Sequence, residues 1–348
     1  MFNNSLGFAV YVSTFEQQKP ILEKLTGSNA YVFTSFHIQE EFNNSYTLKA
    51  KQMCSWLSKK GFAIMGDVSP KTLEQFGHDS ILDFAQHMGL SALRLDYGFD
   101  KEEIIKAYDK FSIIINASVE DSSIVEVVSP KQEVFAMHNF YPRPETGLDS
   151  EQFDSINQGY KKKGGKVLAF IPGDDVKRGP LYEGLPTLEK HRYISPYEAY
   201  LDLAINYKID GICVADVRLS NRQLELIQSY ISKGVISIPT QLTLEHEYLY
   251  DTVFTIRLDS PKSVKRLQES REYSCSGKTV QPNNCIFRET GSITMDNKLY
   301  GRYSGEIQIL KTDLSKDEKV NVIGVVDEKY KNILKCIKNG AKIKFIAG

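Results

Sequence analysis

The sequence predicts an α/β protein, with a (β/α)8 barrel in residues 1–234 and a small, mainly antiparallel β-domain in residues 235–348. Short apolar runs alternate with helical patterns through the first two thirds of the chain, and eight such runs occur. After residue 235, short segments of alternating apolar and polar residues replace them. A chain of 348 residues is long enough for two domains of these sizes.

The eight apolar runs are the predicted barrel strands, and several are almost continuously apolar, as is typical of parallel strands buried on both faces. In chain order they are 6–12, 30–35, 62–67, 92–96, 111–116, 134–138, 166–171 and 211–214. A doubly wound sheet is the rival fold, but it would normally have fewer strands and a glycine-rich first turn. Gly7 is the only glycine near the first run, so the sequence lacks a dinucleotide-binding fingerprint.

Helical patterns fill the spaces between the runs. For example, Phe153, Ile156 and Tyr160 recur at helical spacing behind the potential cap Asp149, and Gly164 follows the last of them. Glycine just beyond a periodic segment is typical of a helix C-terminus. The pattern therefore predicts a helix that covers one strand of the barrel.

The last third of the chain carries strand patterns of another kind. Residues 306–309 and 342–345 alternate strictly between polar and apolar side chains. Residues 296–298 read as a hairpin turn between the short strands 293–295 and 299–300. We expect these strands to form a mainly antiparallel, small closed barrel.

The composition excludes several classes of protein. Lys plus Arg is 43 and Asp plus Glu is 44, so the chain lacks the basic excess that would attract nucleic acid or an anionic membrane. The five cysteines show no CxxC spacing, which predicts reduced thiols rather than a zinc site. The chain shows neither a secretory signal nor an apolar run that would span a bilayer. We therefore expect a cytoplasmic protein without a membrane partner, and the sequence leaves its oligomeric state open.

The active site of a (β/α)8 barrel forms at the C-terminal ends of its strands, so the residues after each run are the candidates. Carboxylates in these positions are the predicted catalytic groups: Asp96, Asp67, Glu145 and Glu189. Other polar residues there are predicted to bind substrate: His37, Glu41, Asn116, His138, Asn139, Tyr141, Arg143, Arg178, His191, Arg192 and Asp216.

These residue types favour glycoside hydrolysis without a cofactor. One carboxylic acid protonates the leaving oxygen, and a second carboxylate attacks the anomeric carbon, activates water or stabilises the cationic transition state. Asp96 is the first choice for acid–base catalysis, because it follows the apolar strand and precedes Tyr97. The arginines suit an anionic substrate, since a guanidinium binds phosphate or carboxylate through two hydrogen bonds.

Two other functions remain open at this point. The histidines with Asp67 or Asp216 could ligate a metal in an aldolase or isomerase, although neither HxH nor HExxH spacing is present. The same scaffold could also serve as a non-catalytic sugar-phosphate-binding or regulatory protein, since a fold by itself does not confer activity.

Four segments are long and unusual in composition. Residues 33–41 read FTSFHIQEE, residues 138–148 read HNFYPRPETGL, residues 178–192 read RGPLYEGLPTLEKHR, and residues 291–309 read GSITMDNKLYGRYSGEIQI. In these segments the sequence resembles the bacterial 6-phospho-N-acetylmuramidases, glycoside hydrolase family 170, whose first motif is FTSLHIPEE. Gln39 stands where the family usually has proline, and Ala215 stands where it usually has glycine.

The resemblance implies a barrel followed by a cyclophilin-like β-domain. It also implies cleavage of the β-1,4 bond in a 6-phosphorylated MurNAc–GlcNAc disaccharide, which releases MurNAc 6-phosphate and GlcNAc in cytoplasmic cell-wall sugar recycling. The expected partner is therefore a small-molecule phosphosugar substrate.

Overall fold

The computed structural model describes residues 5–95, 98–99, 101–118, 125, 134–270 and 279–348. The chain divides into two compact units, residues 1–224 and residues 225–348. The domain boundary that we place after residue 234 stays a prediction. Asp96, the first choice for acid–base catalysis, lies outside the described residues.

The first unit contains a closed barrel of eight parallel strands that follow one another in chain order, with β1 also paired to β8. The strands are β1 Leu6–Ala9, β2 Tyr31–Ser35, β3 Ala63–Val68, β4 Ala92–Leu95, β5 Ser112–Asn116, β6 Phe135–Met137, β7 Lys166–Ile171 and β8 Gly211–Val214. The predicted (β/α)8 barrel is confirmed, and each predicted run contains one of these strands or overlaps most of it.

The described helices lie between these strands and after the last of them. They are α1 Phe15–Lys24, α2 Tyr46–Lys59, α3 Pro70–Phe76, α4 Ile81–Met88, α5 Lys101–Tyr108, α6 Ser150–Lys162, α7 Pro196–Leu201 and α8 Asn221–Lys233. The predicted cap of α6 is present, because the Asp149 carboxylate accepts hydrogen bonds from the N–H groups of Glu151 and Gln152. Among the described residues, none of the helices is long and apolar enough to cross a bilayer.

The interior of the barrel is filled by every second side chain of its strands. This apolar cluster is Ala9, Tyr11, Tyr31, Phe33, Met65, Ala92, Ile114, Phe135, Met137, Leu168, Phe170, Leu185, Cys213 and Ala215. Gly7 leaves room for it, since a Cβ at Gly7 would lie 2.3 Å from the Tyr31 ring. Because side chains alternate across a strand, a residue two positions beyond a cluster member also points into the barrel, nearer its mouth.

The second unit is a curled sheet of seven strands in the order β10-β15-β9-β14-β12-β13-β11. The strands are β9 Val235–Leu242, β10 Val253–Thr255, β11 Val264–Arg266, β12 Ser292–Asp296, β13 Ile307–Leu310, β14 Val320–Val326 and β15 Lys342–Ala347. Neighbouring strands are antiparallel except β9 and β15, which run parallel, so the sheet is mixed. A bridge between Ile256 and Leu267 joins residues beside the two edge strands.

The hairpin predicted around residues 296–298 has a different second strand. Residues 299–300 lie in the 3-10 helix Lys298–Tyr303, and β12 pairs with β13 instead. The side chain of Asn297 explains the difference: its oxygen accepts a hydrogen bond from the Leu299 N–H at 3.1 Å and begins a helical turn.

Candidate active site

A cavity of about 910 Å³ lies at the C-terminal ends of the barrel strands. Its lining residues are Ser13, Thr14, Phe33, Ser35, His37, Ile38, Glu40, Glu41, Asp67, Arg94, Asn116, Asn139, Phe140, Tyr141, Pro142, Arg178, Gly179, Pro180 and Tyr182. Strand ends supply its floor, and the loops after β1, β2, β6 and β7 supply its rim. The volume is in the range of small-molecule pockets and is large enough for more than one sugar ring.

The floor is polar because the inward-facing positions change character near the strand ends. Ser35, Asp67, Arg94, Asn116 and Asn139 each lie two positions beyond a member of the apolar cluster, and all five line the cavity. The alternation of side chains along a strand therefore brings together polar groups from five strands and the turns that follow them. The predicted binding residues Asn116 and Asn139 belong to this layer.

Asp67 lies between two cationic or potentially cationic groups. Its Oδ1 is 3.8 Å from Nε of Arg94, and its Oδ2 is 3.5 Å from Nε2 of His37. Asp67 is only 7% exposed. Arg94 also donates a hydrogen bond from Nη2 to Oδ1 of Asn139, and its guanidinium lies 5.8 Å from the centre of the Phe33 ring. Asp67 is thus a buried carboxylate on the cavity floor with an arginine as its ion-pair partner.

Sequence reasoning missed Arg94, which lies between Leu93 and Leu95 in a strand interpreted as apolar. The alternation of side chains along β4 was the signal that could have identified Arg94. Arg94 follows the core residue Ala92 by two positions, which places its charge inside the barrel.

Arg178 lies at the mouth of the cavity, with its guanidinium 4.3 Å from the centre of the Tyr11 ring. Its N–H donates a hydrogen bond to Oδ1 of Asp216 at 2.9 Å. Across the described ranges, no carboxylate forms an ion pair with the Arg178 side chain. A partly exposed guanidinium without an internal counter-charge is suited to bind an anionic group of a ligand.

Asp216 holds the loop after β7 in place and does not line the cavity. It is fully buried, and its Oδ2 accepts hydrogen bonds from the N–H groups of Gly173 and Leu185 at 2.9 and 3.2 Å. Burial raises the pKa of Asp216, while the backbone donors oppose that rise. Because Ala215 faces the barrel interior, the next residue faces outward, which is why Asp216 ties the loop after β7 in place.

Glu41 lines the cavity from the short 3-10 helix Gln39–Glu41, beside the more exposed Glu40. It is 6% exposed, and its Oε1 accepts a hydrogen bond from the Ser13 hydroxyl at 2.6 Å. Its Oε2 is buried and has no hydrogen-bond partner within the described part of the chain. This side chain therefore retains an acceptor that the described residues leave unused.

Tyr141 and the two asparagines of the floor are held through Ser118. The Ser118 hydroxyl accepts hydrogen bonds from the Asn139 N–H at 2.9 Å and the Tyr141 hydroxyl at 3.4 Å. The side-chain oxygen of Asn116 accepts from the Ser118 N–H at 3.1 Å. These contacts fix the ends of β5 and β6 relative to each other at the cavity floor.

Glu189 and Arg192 form a bidentate ion pair that does not line the cavity. Nε and Nη2 of Arg192 each donate to a Glu189 oxygen at 2.6 Å, and the guanidinium also donates to the carbonyls of Gly184 and Arg143. The hydrogen bonds from Arg192 lower the pKa of Glu189 to about 2. Glu189 also accepts the Glu145 N–H, so the pair ties the loops after β6 and β7 together.

Arg143 and Glu145 lie in the loop after β6 with exposed side chains, and neither lines the cavity. The Arg143 carbonyl accepts a hydrogen bond from the buried Arg192, and the Glu145 N–H donates to Glu189. These two residues therefore contribute to the fold through their backbone groups.

The two predicted binding histidines after β6 and β7 are buried away from the cavity. Nε2 of His138 is 2.7 Å from Oδ1 of Asn157 on α6, and burial lowers the pKa of His138 to about 4. Nε2 of His191 is 2.8 Å from Oδ2 of Asp202, and burial lowers the pKa of His191. Within the described part of the chain, no group of His, Cys, Asp and Glu could hold a metal ion.

The whole chain also matches known family models. Residues 6–229 match the family described as 6-phospho-N-acetylmuramidase, N-terminal, and residues 236–346 match its C-terminal counterpart. The chain belongs to the 6-phospho-N-acetylmuramidase family. As a member of this family it is a glycoside hydrolase, in agreement with the motif resemblance.

Solved structures of two similar chains have been described without a function. A conserved Enterococcus faecalis protein is 29% identical, with a TM-score of 0.85 over 99% of this chain and 96% of the other. An uncharacterized B. cereus protein shares the fold at 21% identity, with a TM-score of 0.81 over 99% of this chain and 100% of the other. No curated protein matches the sequence.

Proposed function

We propose that this protein hydrolyses the β-1,4 bond of a 6-phosphorylated MurNAc–GlcNAc disaccharide, releasing MurNAc 6-phosphate and GlcNAc in the cytoplasm. One observation supports this particular reaction among those of glycosidases. A single cavity holds a buried carboxylate, Asp67, and a guanidinium that has no carboxylate partner among the described residues, Arg178. The first suits chemistry at an anomeric carbon, and the second suits a substrate with an anionic substituent.

The ion pair with Arg94 indicates the role of Asp67. An aspartate paired to an arginine carries negative charge, and negative charge beside the anomeric carbon stabilises an oxocarbenium-like transition state. Asp67 is therefore our proposed nucleophile or electrostatic stabiliser. The hydrogen bond of Arg94 to Asn139 holds the guanidinium in place, so that the carboxylate does not have to reorganise during the reaction.

The second carboxyl group must supply a proton to the leaving oxygen. We retain Asp96 for this role, because it follows directly in sequence on Leu95, the last residue of β4. In the overall step, the bond between C1 of MurNAc and O4 of GlcNAc breaks, and O4 takes up the proton from the acid. A water molecule adds its oxygen to C1 and gives up one proton, which restores the acid.

Arg178 is our proposed ligand for the 6-phosphate. Its backbone is fixed by Asp216, and its guanidinium rests on Tyr11, so the charge is positioned before substrate binds. The neutral donors and acceptors of Asn116, Asn139 and Tyr141 are available for hydroxyl and acetamido groups, and Glu41 lines the same cavity.

The test is incubation of the purified protein with the phosphorylated and the unphosphorylated disaccharide, followed by measurement of released GlcNAc. Release from the phosphorylated form alone is the expected result. Tight binding of the phosphosugar without release would instead indicate a sugar-phosphate-binding protein. Activity that chelation abolishes and a divalent metal restores would indicate a metal-dependent enzyme.

A further inference from the structure

We infer that Tyr182 is a stacking platform for the sugar ring that leaves, so that the loop after β7 forms the leaving-group subsite of the cavity. This inference rests on the proposed disaccharide hydrolysis. It assigns a specificity-determining role to an exposed aromatic side chain that is not among the binding residues predicted from the sequence and that the carboxylate chemistry does not use.

The cavity has a charged floor and a rim that includes a proline and a tyrosine side chain. Asp67 and Arg94 lie on the floor, whereas Pro142 and Tyr182 lie on the part of the rim formed by the loops after β6 and β7. A ring that reacts at Asp67 occupies the floor. A second ring joined to it lies farther out, and we place it along this part of the rim.

Tyr182 is largely exposed at the edge of the cavity. It is 65% exposed, and its ring lies against Gly179, where an added Cβ would be only 3.0 Å from the Tyr182 hydroxyl. A side chain at position 179 would require the Tyr182 ring to shift by a few tenths of an ångström. Much of the aromatic surface is thus left open to solvent beside the cavity, as is typical of a ligand-binding surface.

The backbone at Tyr182 is held in a conformation that favours glycine. Its φ angle is 58°, in the left-handed region, which is strained for a residue with a side chain. The Tyr182 N–H donates to the Arg178 carbonyl at 3.3 Å, and the Arg178 N–H is itself bound by Asp216. A strained residue on such a well-anchored turn suggests a functional position.

The turn also carries two residues that would bind different parts of the substrate. Arg178 and Tyr182 are its first and last residues, so the proposed phosphate ligand and the platform are held at a fixed spacing. The apolar face of a pyranose ring would cover the exposed tyrosine ring and remove apolar surface from water. This arrangement would select a disaccharide over a phosphosugar that has a small leaving group.

Two substrates separate this role from a structural one: the phosphorylated disaccharide and 6-phospho-MurNAc β-fluoride, whose leaving group is too small to reach the rim. We expect Tyr182→Ala to lower kcat/KM for the disaccharide at least about tenfold, mainly by raising KM, and to leave the fluoride within about twofold of wild type. Tyr182→Phe should restore the disaccharide value. Tyr193→Ala changes a tyrosine that is 73% exposed and does not line the cavity, so it is the matched control and should alter neither substrate.

The outcomes distinguish a failure of the role of Tyr182 from a failure of the proposed hydrolysis. Equal losses on both substrates, or no loss on the disaccharide, would overturn the role of Tyr182 while leaving the hydrolase intact. Wild-type protein that cleaves neither substrate would overturn the proposed function, and with it this inference.

Discussion

Replacing Glu189 with glutamine tests whether this carboxylate is a catalyst or a structural tie. Glu189→Gln keeps the shape of the side chain but removes its charge, and it leaves the fully buried guanidinium of Arg192 without a counter-ion. A catalytic carboxylate would lose activity at unchanged stability. A structural tie would lose stability first, because the loops after β6 and β7 share this pair.

The structure gives the size of the effect in two ways. The fall in the pKa of Glu189 from 4.5 to about 2 corresponds to roughly 3 kcal/mol of stabilisation. Solvent screening of a carboxylate that is 29% exposed reduces this to about 2 kcal/mol. Breaking a buried ion pair by removing one partner costs about 3–5 kcal/mol. We therefore expect a loss of about 2–4 kcal/mol, or roughly 5–15 °C in the unfolding midpoint.

Thermal unfolding between pH 7 and pH 2 measures this loss. Because the pKa of Glu189 is lowered in the folded state, its contribution is complete above pH 4.5 and disappears as the pH falls through about 2. Wild type and variant should therefore differ at neutral pH and converge near pH 2. Glu151→Gln, an exposed change on α6, is the control. An unchanged midpoint together with a large fall in kcat would refute the structural reading and restore Glu189 as a catalyst.

Three further predictions address the cavity and the second unit. Asp67→Asn should lower kcat about 10²-fold or more at an unchanged unfolding midpoint, because it removes the charge beside the anomeric carbon, and a fully active variant would exclude Asp67 from catalysis. Arg178→Ala should raise KM for the phosphorylated disaccharide with little change in kcat, and an unchanged KM would exclude Arg178 as the phosphate ligand. Burial and the nearby Glu306 raise the pKa of Asp296 from 3.8 to about 7, so wild-type stability should fall by up to about 4 kcal/mol as the pH rises from 4 to 7. Asp296→Asn should remove that fall, and parallel midpoint profiles for the two proteins would contradict it.

The barrel was predictable because its signal is local. A run such as 166–171 is apolar at nearly every position, since β7 is buried on both faces, and its bounds in the structure are those of the run. The second unit was harder to predict. Its parallel pair, β9 and β15, joins segments about a hundred residues apart in sequence, and no local pattern distinguishes it from an antiparallel pair.

Some candidate site residues could be predicted from local sequence and others could not. Asn116 and Asn139 line the cavity because each lies two positions after an inward-facing core residue and therefore points to the same side of its strand. His138 and Asp216 come one position after core residues and face outward, although they also follow predicted strands. A position just after a strand is therefore not sufficient to predict a site residue. It must also be known which side chains of the strand point into the barrel.

The amino-acid sequence alone determined the order of strands and helices, the end of the barrel that carries polar residues and the family to which the chain belongs. These properties depend on periodicity and on motifs, which are properties of neighbours along the chain. Only the tertiary structure decided which charges share the cavity and which are paired with other charges of the protein. Arg178 and Arg192 are equivalent candidates in sequence, yet one is left without a carboxylate partner among the described residues and the other is buried against Glu189. The physical reason is that a charge's availability depends on the counter-charges and water around it, and these come from segments distant in sequence.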